Sequence, residues 1–589
     1  MQWVLAVFVN SKGLYIKLGL NLNVSTFFTF HGLSLMLSPK SKSAPNRTEF
    51  PIQAPEKCSP WFLLAMPIGL GLVLGLVITV VRSLQEVDTR SIYLGLDGMR
   101  LPLAMIAVAL AAMVLAIAWI RPKLSTVAVL ATLFLISGFA FYRTVRIESF
   151  YGNMLPRLAW RWSPTAEQEI ATYLTSTSSS ARNSEFRSVF AETENDFPGF
   201  LGARRDATVS GVNLATDWDQ RPPKLLWRHP VGLGWSSFAV VGAAAINLEQ
   251  RGASECVVCY ALQTGDELWC HSEPVRFEDE HGDGPRSTPT IHAGKVLSMG
   301  ANGTLTCLEL ATGRLIWKRD TLPDPKQQNL LWGMSGSPLV IDGQVVVTPG
   351  AGEGASALSY SLETGEEFWR NGSDRAAYAS PIQSQICGER QLLSFNGAGL
   401  RSYAMDGTPQ WLHPWLTQGE SQRVNVAQPV VLPVDASATS DCTRVLISSG
   451  YDNGTALLKI QRNHGGFDVD VVWLSKNLKS KMSNFVVYGQ HIFGLDNGIL
   501  TCLDLNDGAR RWKRGRYGHG QMLLVGDKLL IQSESGEIVL VAASPDGHHE
   551  FAKLNALFSK TWNNLALAGS TLVVRNDREA AAFELPTNP

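Results

Sequence analysis

The chain has 589 residues, more than one ordinary domain holds, so more than one unit is expected. Its 51 Lys and Arg against 52 Asp and Glu leave a net charge of −1, and no basic field marks it for nucleic acid. Residues 1–57 are mixed in character, with a basic polar stretch SPKSKSAPNR, and suggest no function. Met36 and Met66 are alternative starts.

Three uncharged apolar runs come next, Trp61–Val81, Leu101–Ile120 and Leu124–Tyr142. Each has the length of about 20 residues that an α-helix needs to cross a bilayer. Three transmembrane α-helices are therefore expected within residues 58–146. A cleaved signal peptide fits poorly, because there are three runs and none starts the chain. Lys40, Lys42, Arg47, Lys57, Arg121 and Lys123 favour a cytoplasmic N-terminus; Arg82, Arg90, Arg100, Arg143, Arg146, Arg157 and Arg161 nearly balance them. An odd number of spans then places the C-terminal remainder of the chain outside the cytoplasm. Residues 147–196 read as a connector, flexible through TSTSSSARNS at 175–184.

From Lys224 onward one phrase recurs. The fullest copy is TCLELATGRLIW, ending at Trp317; others end at Trp269, Trp369, Trp411 and Trp512. In each a Gly stands four residues before the Trp: Gly265, Gly313, Gly365, Gly407 and Gly508. SPDGHHEF keeps Gly547 ahead of Phe551, NHGGFDVDVVW ends at Trp473 after an expanded turn, and KLLWRHP opens the series at Trp227. A phrase repeated at roughly 40–60 residues signals a propeller or solenoid. Each phrase reads as two strands around a Gly turn, and two further strand-like runs precede it, as in SPLVIDG-QVVVTPG. One unit is thus a four-stranded antiparallel blade. Eight strands end at a Trp or at Phe551. The last third-strand copy, AAAFELP at 580–586, has no Trp strand after it, and Trp227 has no strands before it. The two ends are expected to complete one blade, giving an all-β, eight-bladed propeller closed by its N- and C-terminal strands. Trp227, Trp269, Trp317, Trp369, Trp411, Trp473 and Trp512 are expected to be structural, pressing against neighbouring blades.

Eight cysteines are present: Cys58, Cys256, Cys259, Cys270, Cys307, Cys387, Cys442 and Cys502. Cys259, Cys307 and Cys502 stand ten residues before their Trp and read as small buried residues. Cys256 and Cys259 spell CxxC, but odd spacing along a strand points them to opposite faces. Cys259–Cys270 within a hairpin and Cys387–Cys442 across blades stay open as disulfides.

The loops leading into the first strand of each blade converge on one end of the channel. They read GLGWSSF, DGPRSTP, LLWGMSGSP, RAAYASP, RVNVAQP, KSKMSNF, RYGHGQM and KTWNNLAL. They bring Trp235, Asp283, Arg286, Trp332, Tyr378, Asn425, Lys481, Asn484, Tyr517, His519, Trp562 and Asn563 to a common mouth. Such residues can simply cap the channel, or they can form a binding surface of ring faces and a few donors. Arg286 has the fork that matches a carboxylate, and His519, between two glycines, is accessible for acid–base work. No HExxH, Walker loop or Rossmann fingerprint is present.

The A-x-x-TG-x-x-x-W phrase resembles the pyrroloquinoline-quinone (PQQ) repeat, and the blade count resembles the quinoprotein alcohol dehydrogenase-like propeller. FPGFLGARRD, GWSSFAVV, GPRSTPTI and WGMSGSPLV are similar to a bacterial, often membrane-tethered branch of PQQ-like propellers. The resemblance covers 197–587 and implies the fold without the activity, since the repeat serves both PQQ dehydrogenases and a scaffold of outer-membrane protein assembly. The dehydrogenases are expected to carry an adjacent Cys pair on the cofactor, carboxylates and an Asn on Ca²⁺, and a catalytic Asp. Here no two Cys are adjacent, and Asp283 is the one acid among the mouth residues named. The expectation is a multi-pass inner-membrane protein with a monomeric extracytoplasmic propeller. It would bind or scaffold envelope proteins or peptides, with no catalytic residue, no metal and no PQQ. The alternative is a membrane-bound quinoprotein-like oxidoreductase of alcohols or sugars that uses PQQ and Ca²⁺.

Overall fold

The computed structural model describes residues 3–10, 13–20, 138, 141, 143–151, 156–177, 190–323, 328–417, 424–433 and 442–589. Residues 1–84 and 85–589 form two separate units. In the first, β1 (Trp3–Asn10) and β2 (Gly13–Leu20) form an antiparallel pair. Nearly all of the three apolar runs lies outside the described residues. Among the described residues no helix is long and apolar enough to cross a membrane.

The expected connector is ordered where it is described. β3 (Val145–Phe150) and β4 (Pro156–Trp160) make a hairpin, followed by helix α1 (Ala166–Thr177). Thr165 caps the helix: its Oγ1 accepts from Gln168 N at 3.2 Å, and Gln168 Oε1 accepts from Thr165 N at 2.9 Å. The first four residues of TSTSSSARNS are Thr175–Ser178, and three of them are helical rather than flexible.

Seven blades run in order along the chain, each a complete antiparallel sheet. Blade 1 is Ala239–Val241, Ala244–Arg251, Ser254–Ala261 and Glu267–Glu273. Blades 2 to 7 begin at Thr290, Leu339, Ile382, Val430, Val486 and Gln521. Blade 8 takes Ala566–Ala568, Thr571–Arg575 and Glu579–Glu584 from the C-terminus, and β6 (Lys224–Pro230) completes it as the outer strand. The register pairs Ala582 with Trp227, so both chain ends close one blade, as the repeat count requires. Closure sets every blade between two neighbours, so the ring has no open end.

The first strand of each blade is innermost and the Trp strand outermost. Middle strands are buried almost throughout, while Leu315–Asp320 exposes most residues and buries Trp317. Each of the eight outer-strand pairings contains a register shift, a bulge that the alternating sequence does not reveal. In blade 2 Cys307 pairs with Trp317 but Leu308 with Leu315, which turns the indole toward the next blade. There the repeat Gly receives it: a Cβ on Gly365 would lie 2.6 Å from Trp317. Gly265, Gly313, Gly407 and Gly508 meet Trp227, Trp269, Trp369 and Trp473 in the same way. The indole N–H then donates across the blade boundary, Trp317 to Leu362 O at 3.0 Å and Trp269 to Leu310 O at 2.9 Å. The phrase therefore joins one blade's Trp to the next blade's Gly.

Candidate functional site

A ring of hydrogen bonds sets the frame of the channel. Two residues before the inner strands of blades 1 to 6 stands a small or amide residue: Ser237, Thr288, Ser337, Ser380, Gln428 and Asn484. The backbone N–H of each of the first five donates to the side chain of the next, at 3.3, 3.0, 2.9, 2.9 and 2.8 Å in turn. Asn484, expected as a ligand contact, is thus a link in this ring. Asn563 is another brace: buried, it donates to Ser236 O at 2.7 Å.

The channel is filled from the end away from the mouth. Asn195 and Asp196 bond Gly569 N and Gly242 N, in turns at that end. Residues 197–209 then run along the inner strands. Phe197 and Val240 exchange backbone bonds at 2.9 and 2.8 Å, Ile291 N donates to Pro198 O, and β5 (Thr208–Val209) pairs in parallel with the inner strand of blade 7. The buried Arg205 guanidinium donates to Pro338 O at 2.7 Å and Ser337 O at 2.8 Å. FPGFLGARRD, GWSSFAVV, GPRSTPTI and WGMSGSPLV therefore meet in one place, the core of the ring.

At the mouth, four of the expected aromatic residues form an arc with His281. Ring centroids are 4.9 Å apart for Trp235–Trp562, 6.3 Å for Trp562–His281, 5.9 Å for His281–Trp332 and 5.3 Å for Trp332–Tyr378. Lys560, fully buried, points its ammonium at the Trp562 and Trp235 rings, 4.2 and 4.8 Å from their centroids. It donates to His281 O at 2.6 Å and to Phe150 O at 2.9 Å. Burial pushes Lys560 down to about 8, against the attraction of Asp577. Phe150 ends β3, and it is buried too, so the hairpin covers the mouth. Arg157–Asp577 at 3.4 Å and Arg578–Glu148 at 3.7 Å tie the hairpin down, and Arg578–Glu169 at 2.6 Å ties α1. The sequence does not single out Lys560 or His281. Both stand in polar loop sequence that reads as solvated, and only the packing of the arc singles them out.

Other expected residues are placed differently. Arg286 does not offer its fork outward. It is buried and stacks on Phe277 at 4.5 Å, and it donates to Trp332 O at 2.6 Å, Gly282 O at 2.8 Å and Gly284 O. Its side chain braces a loop, and burial holds it down at about 10. Asp283 accepts from Arg276 at 2.9 Å and from Asp279 N at 3.1 Å. Tyr517 turns away from the arc to His548 at 2.8 Å and Glu550 at 2.6 Å. Its loop begins at the mouth, but its side chain enters the core between blades. His519 N donates to Glu534, whose other oxygen accepts from Trp562 Nε1 at 2.8 Å. Asn425 is fully buried and joins Asn396 O to Ser449. Lys481 lies 5.5 Å from the Tyr451 ring centre.

All seven described cysteines are free thiols. Cys259 opposes Trp269 while Cys270 opposes Val258, so the Cys259–Cys270 bridge left open by the sequence would join opposite faces of the hairpin. Cys387 Sγ instead bonds Ile460 O at 3.3 Å. Among the described residues no three His, Cys, Asp or Glu side chains gather as metal ligands. Trp235 and Trp562 are tilted by 39° with Lys560 against both, so they present no flat open platform for a quinone ring. Asp283 and Glu534 are held by Arg276 and Trp562 rather than paired around a cation cavity. The groups at the mouth do not fit PQQ held by Ca²⁺.

Comparison with known proteins agrees with this architecture. A family model described as outer membrane protein assembly factor BamB matches residues 253–514. Quinohemoprotein alcohol dehydrogenase ADH-IIG of Pseudomonas putida is 30% identical over 121 residues, 19% of this chain and 16% of that protein. The chain thus spans less than a fifth of the length of the curated relatives it matches. Quinohemoprotein alcohol dehydrogenase of Comamonas testosteroni superposes with a TM-score of 0.50 at 12% identity, covering 69% of this chain and 82% of that one. A europium-containing methanol dehydrogenase gives the same score and identity over 68% of this chain and 100% of its own. These likenesses are of fold. The repeats, the eight four-stranded blades and the partial family match together support a PQQ-like β-propeller superfamily for this chain.

Proposed function

We propose that the chain is a membrane-anchored propeller on the extracytoplasmic side that binds or scaffolds envelope proteins or peptides, without bound PQQ. One observation carries this reading. The buried Lys560 ammonium is satisfied by two peptide carbonyls, Phe150 O and His281 O, between two indole faces. The mouth is built around a strand end and already holds one. The anchor is supported by the three uncharged runs before residue 143, and the binding role by the description of the matched family. A quinoprotein oxidoreductase remains the second reading, favoured by the matched segment of an alcohol dehydrogenase.

Two measurements on the detergent-purified full chain decide between them. Calorimetry with PQQ and Ca²⁺ should give no binding heat, and alcohols or sugars should drive no dye reduction. A photo-reactive residue in place of the exposed Leu331, in the loop beside Trp332, should cross-link an envelope protein or peptide in intact membranes. Tight PQQ binding with substrate-dependent dye reduction would establish the oxidoreductase instead. Protease added to spheroplasts should cut the propeller, and complete protection would reverse its sidedness.

A further inference from the structure

We propose that Trp160 and Trp162 seat the mouth end of the propeller on the lipid–water interface, so that the capped mouth faces the bilayer. This rests on the reading that the apolar run ending at Tyr142 crosses the membrane.

The hairpin has two unlike faces. Toward the propeller go the Phe150 carbonyl, Arg157 and Glu148, held by Lys560, Asp577 and Arg578. Successive strand residues point to opposite sides, so Leu158 and Trp160 point away from that contact. Leu158, Trp160 and Trp162 are 50, 53 and 68% exposed, and Phe141 is 57% exposed. The two indoles stack, 5.0 Å apart and 7° from parallel. A stacked, solvent-facing Trp pair beside exposed Leu and Phe is an apolar surface with none of the described residues over it. Indole rings, apolar with one N–H, are enriched where headgroups meet acyl chains.

The β-register puts this pair at the right depth. β3 starts at Val145, three residues after the run ends. Val145 pairs with Trp160, and Arg161 N donates to Thr144 O at 2.8 Å. The point at which the chain leaves the run is therefore held beside the Trp pair. If the run ends at the interface, the indoles lie in it. The same end of the propeller carries Leu416 and Phe558, 58 and 69% exposed, on two of the loops leading into inner strands. Lipid headgroups and the upper acyl chains are the one occupant that the preceding run itself supplies.

The test uses the full chain in phosphatidylethanolamine–phosphatidylglycerol vesicles that carry a nitroxide either just below the headgroup or near the chain end. The emission of the Trp160→Ser/Trp162→Ser protein is subtracted from that of the wild type, which isolates the pair from the other indoles. Both side chains are more than half exposed, so the variant should fold, and an unchanged circular dichroism spectrum checks it. The shallow nitroxide should quench most of the difference emission and the deep one much less. If neither quenches it while the protein still floats with the vesicles, the anchor stands, the pair serves a protein partner or water, and the seating is wrong. If the full chain does not float with vesicles at all, the anchor reading fails first and the seating with it.

Discussion

The Lys560 ammonium stands 4.2 Å from the centre of the Trp562 ring, fully buried. Its folded value of about 8 lies below its ordinary 10.5, chiefly because of burial. Between these values the unfolded chain binds a proton that the fold does not, so stability from this group rises with pH across the window. Below about 8 the buried charge costs the fold on the order of 3 kcal/mol. Relative to Lys560→Met, the unfolding free energy of the wild type should climb by about that amount as pH rises from about 8 to about 10.5. A flat difference would mean that the two carbonyls keep Lys560 charged throughout.

Trp317 and Gly365 form the boundary between blades 2 and 3. Trp317→Ala empties a buried aromatic site and should cost roughly 3–5 kcal/mol. Gly365→Ala places a methyl 2.6 Å from the indole at φ +69°, and should cost roughly 1–3 kcal/mol. The two should not add. With the indole gone, the new methyl has room, so the double variant should be more stable than the sum predicts. Additive losses in thermal unfolding would show that backbone strain at Gly365, not the Trp contact, sets its cost.

The ring was legible because its signal repeats. Trp and Gly recur at fixed offsets, and the strand count alone implies the shared eighth blade. What failed to show were groups that occur once. Residues 197–209 and the β3–β4 hairpin fill the two ends of the channel through contacts that no repeat duplicates, such as Arg205 to Pro338 and Lys560 to Phe150. A lone Arg or Lys in a loop reads as solvated. Loop position placed Tyr517 and Arg286 at the correct end but says nothing of side-chain direction. Tyr517 turned to His548 and Arg286 into its own loop. The outer-strand bulges are not visible for a related reason: most residues of an outer strand are exposed, so the sequence does not mark where its alternation breaks.

Cys270 should be the fastest-reacting of the described thiols. It is exposed, and Cys256 and then Arg251, at 3.8 Å, hold its thiol below the ordinary value, against burial. The buried Cys259 is raised by desolvation. Iodoacetamide at neutral pH should label Cys270 first, and Cys270→Ser should remove the fast phase. A fast phase that survives this substitution would assign it to another cysteine.

Arg205 poses a question of sign. Its guanidinium is buried, with two backbone carbonyls and no carboxylate among its hydrogen-bond acceptors, and burial pulls it from 12.5 to about 10. That desolvation costs on the order of 3 kcal/mol. Two hydrogen bonds from a charged donor return about 1.5–3 kcal/mol each. The balance is small, so Arg205→Met, similar in reach and apolar, should change global stability by only about 1–2 kcal/mol. The effect should instead be local. Without the fork on Ser337 and Pro338, residues 197–209 lose their attachment to blade 3 and should lift more often from blades 1, 2 and 7. Hydrogen exchange should then speed up at the Val240, Ile291 and Leu524 amides, which bond that segment, while the middle strands stay protected. Unchanged protection at those three amides would show that the buried Phe197 and Leu201 hold the channel closed without Arg205.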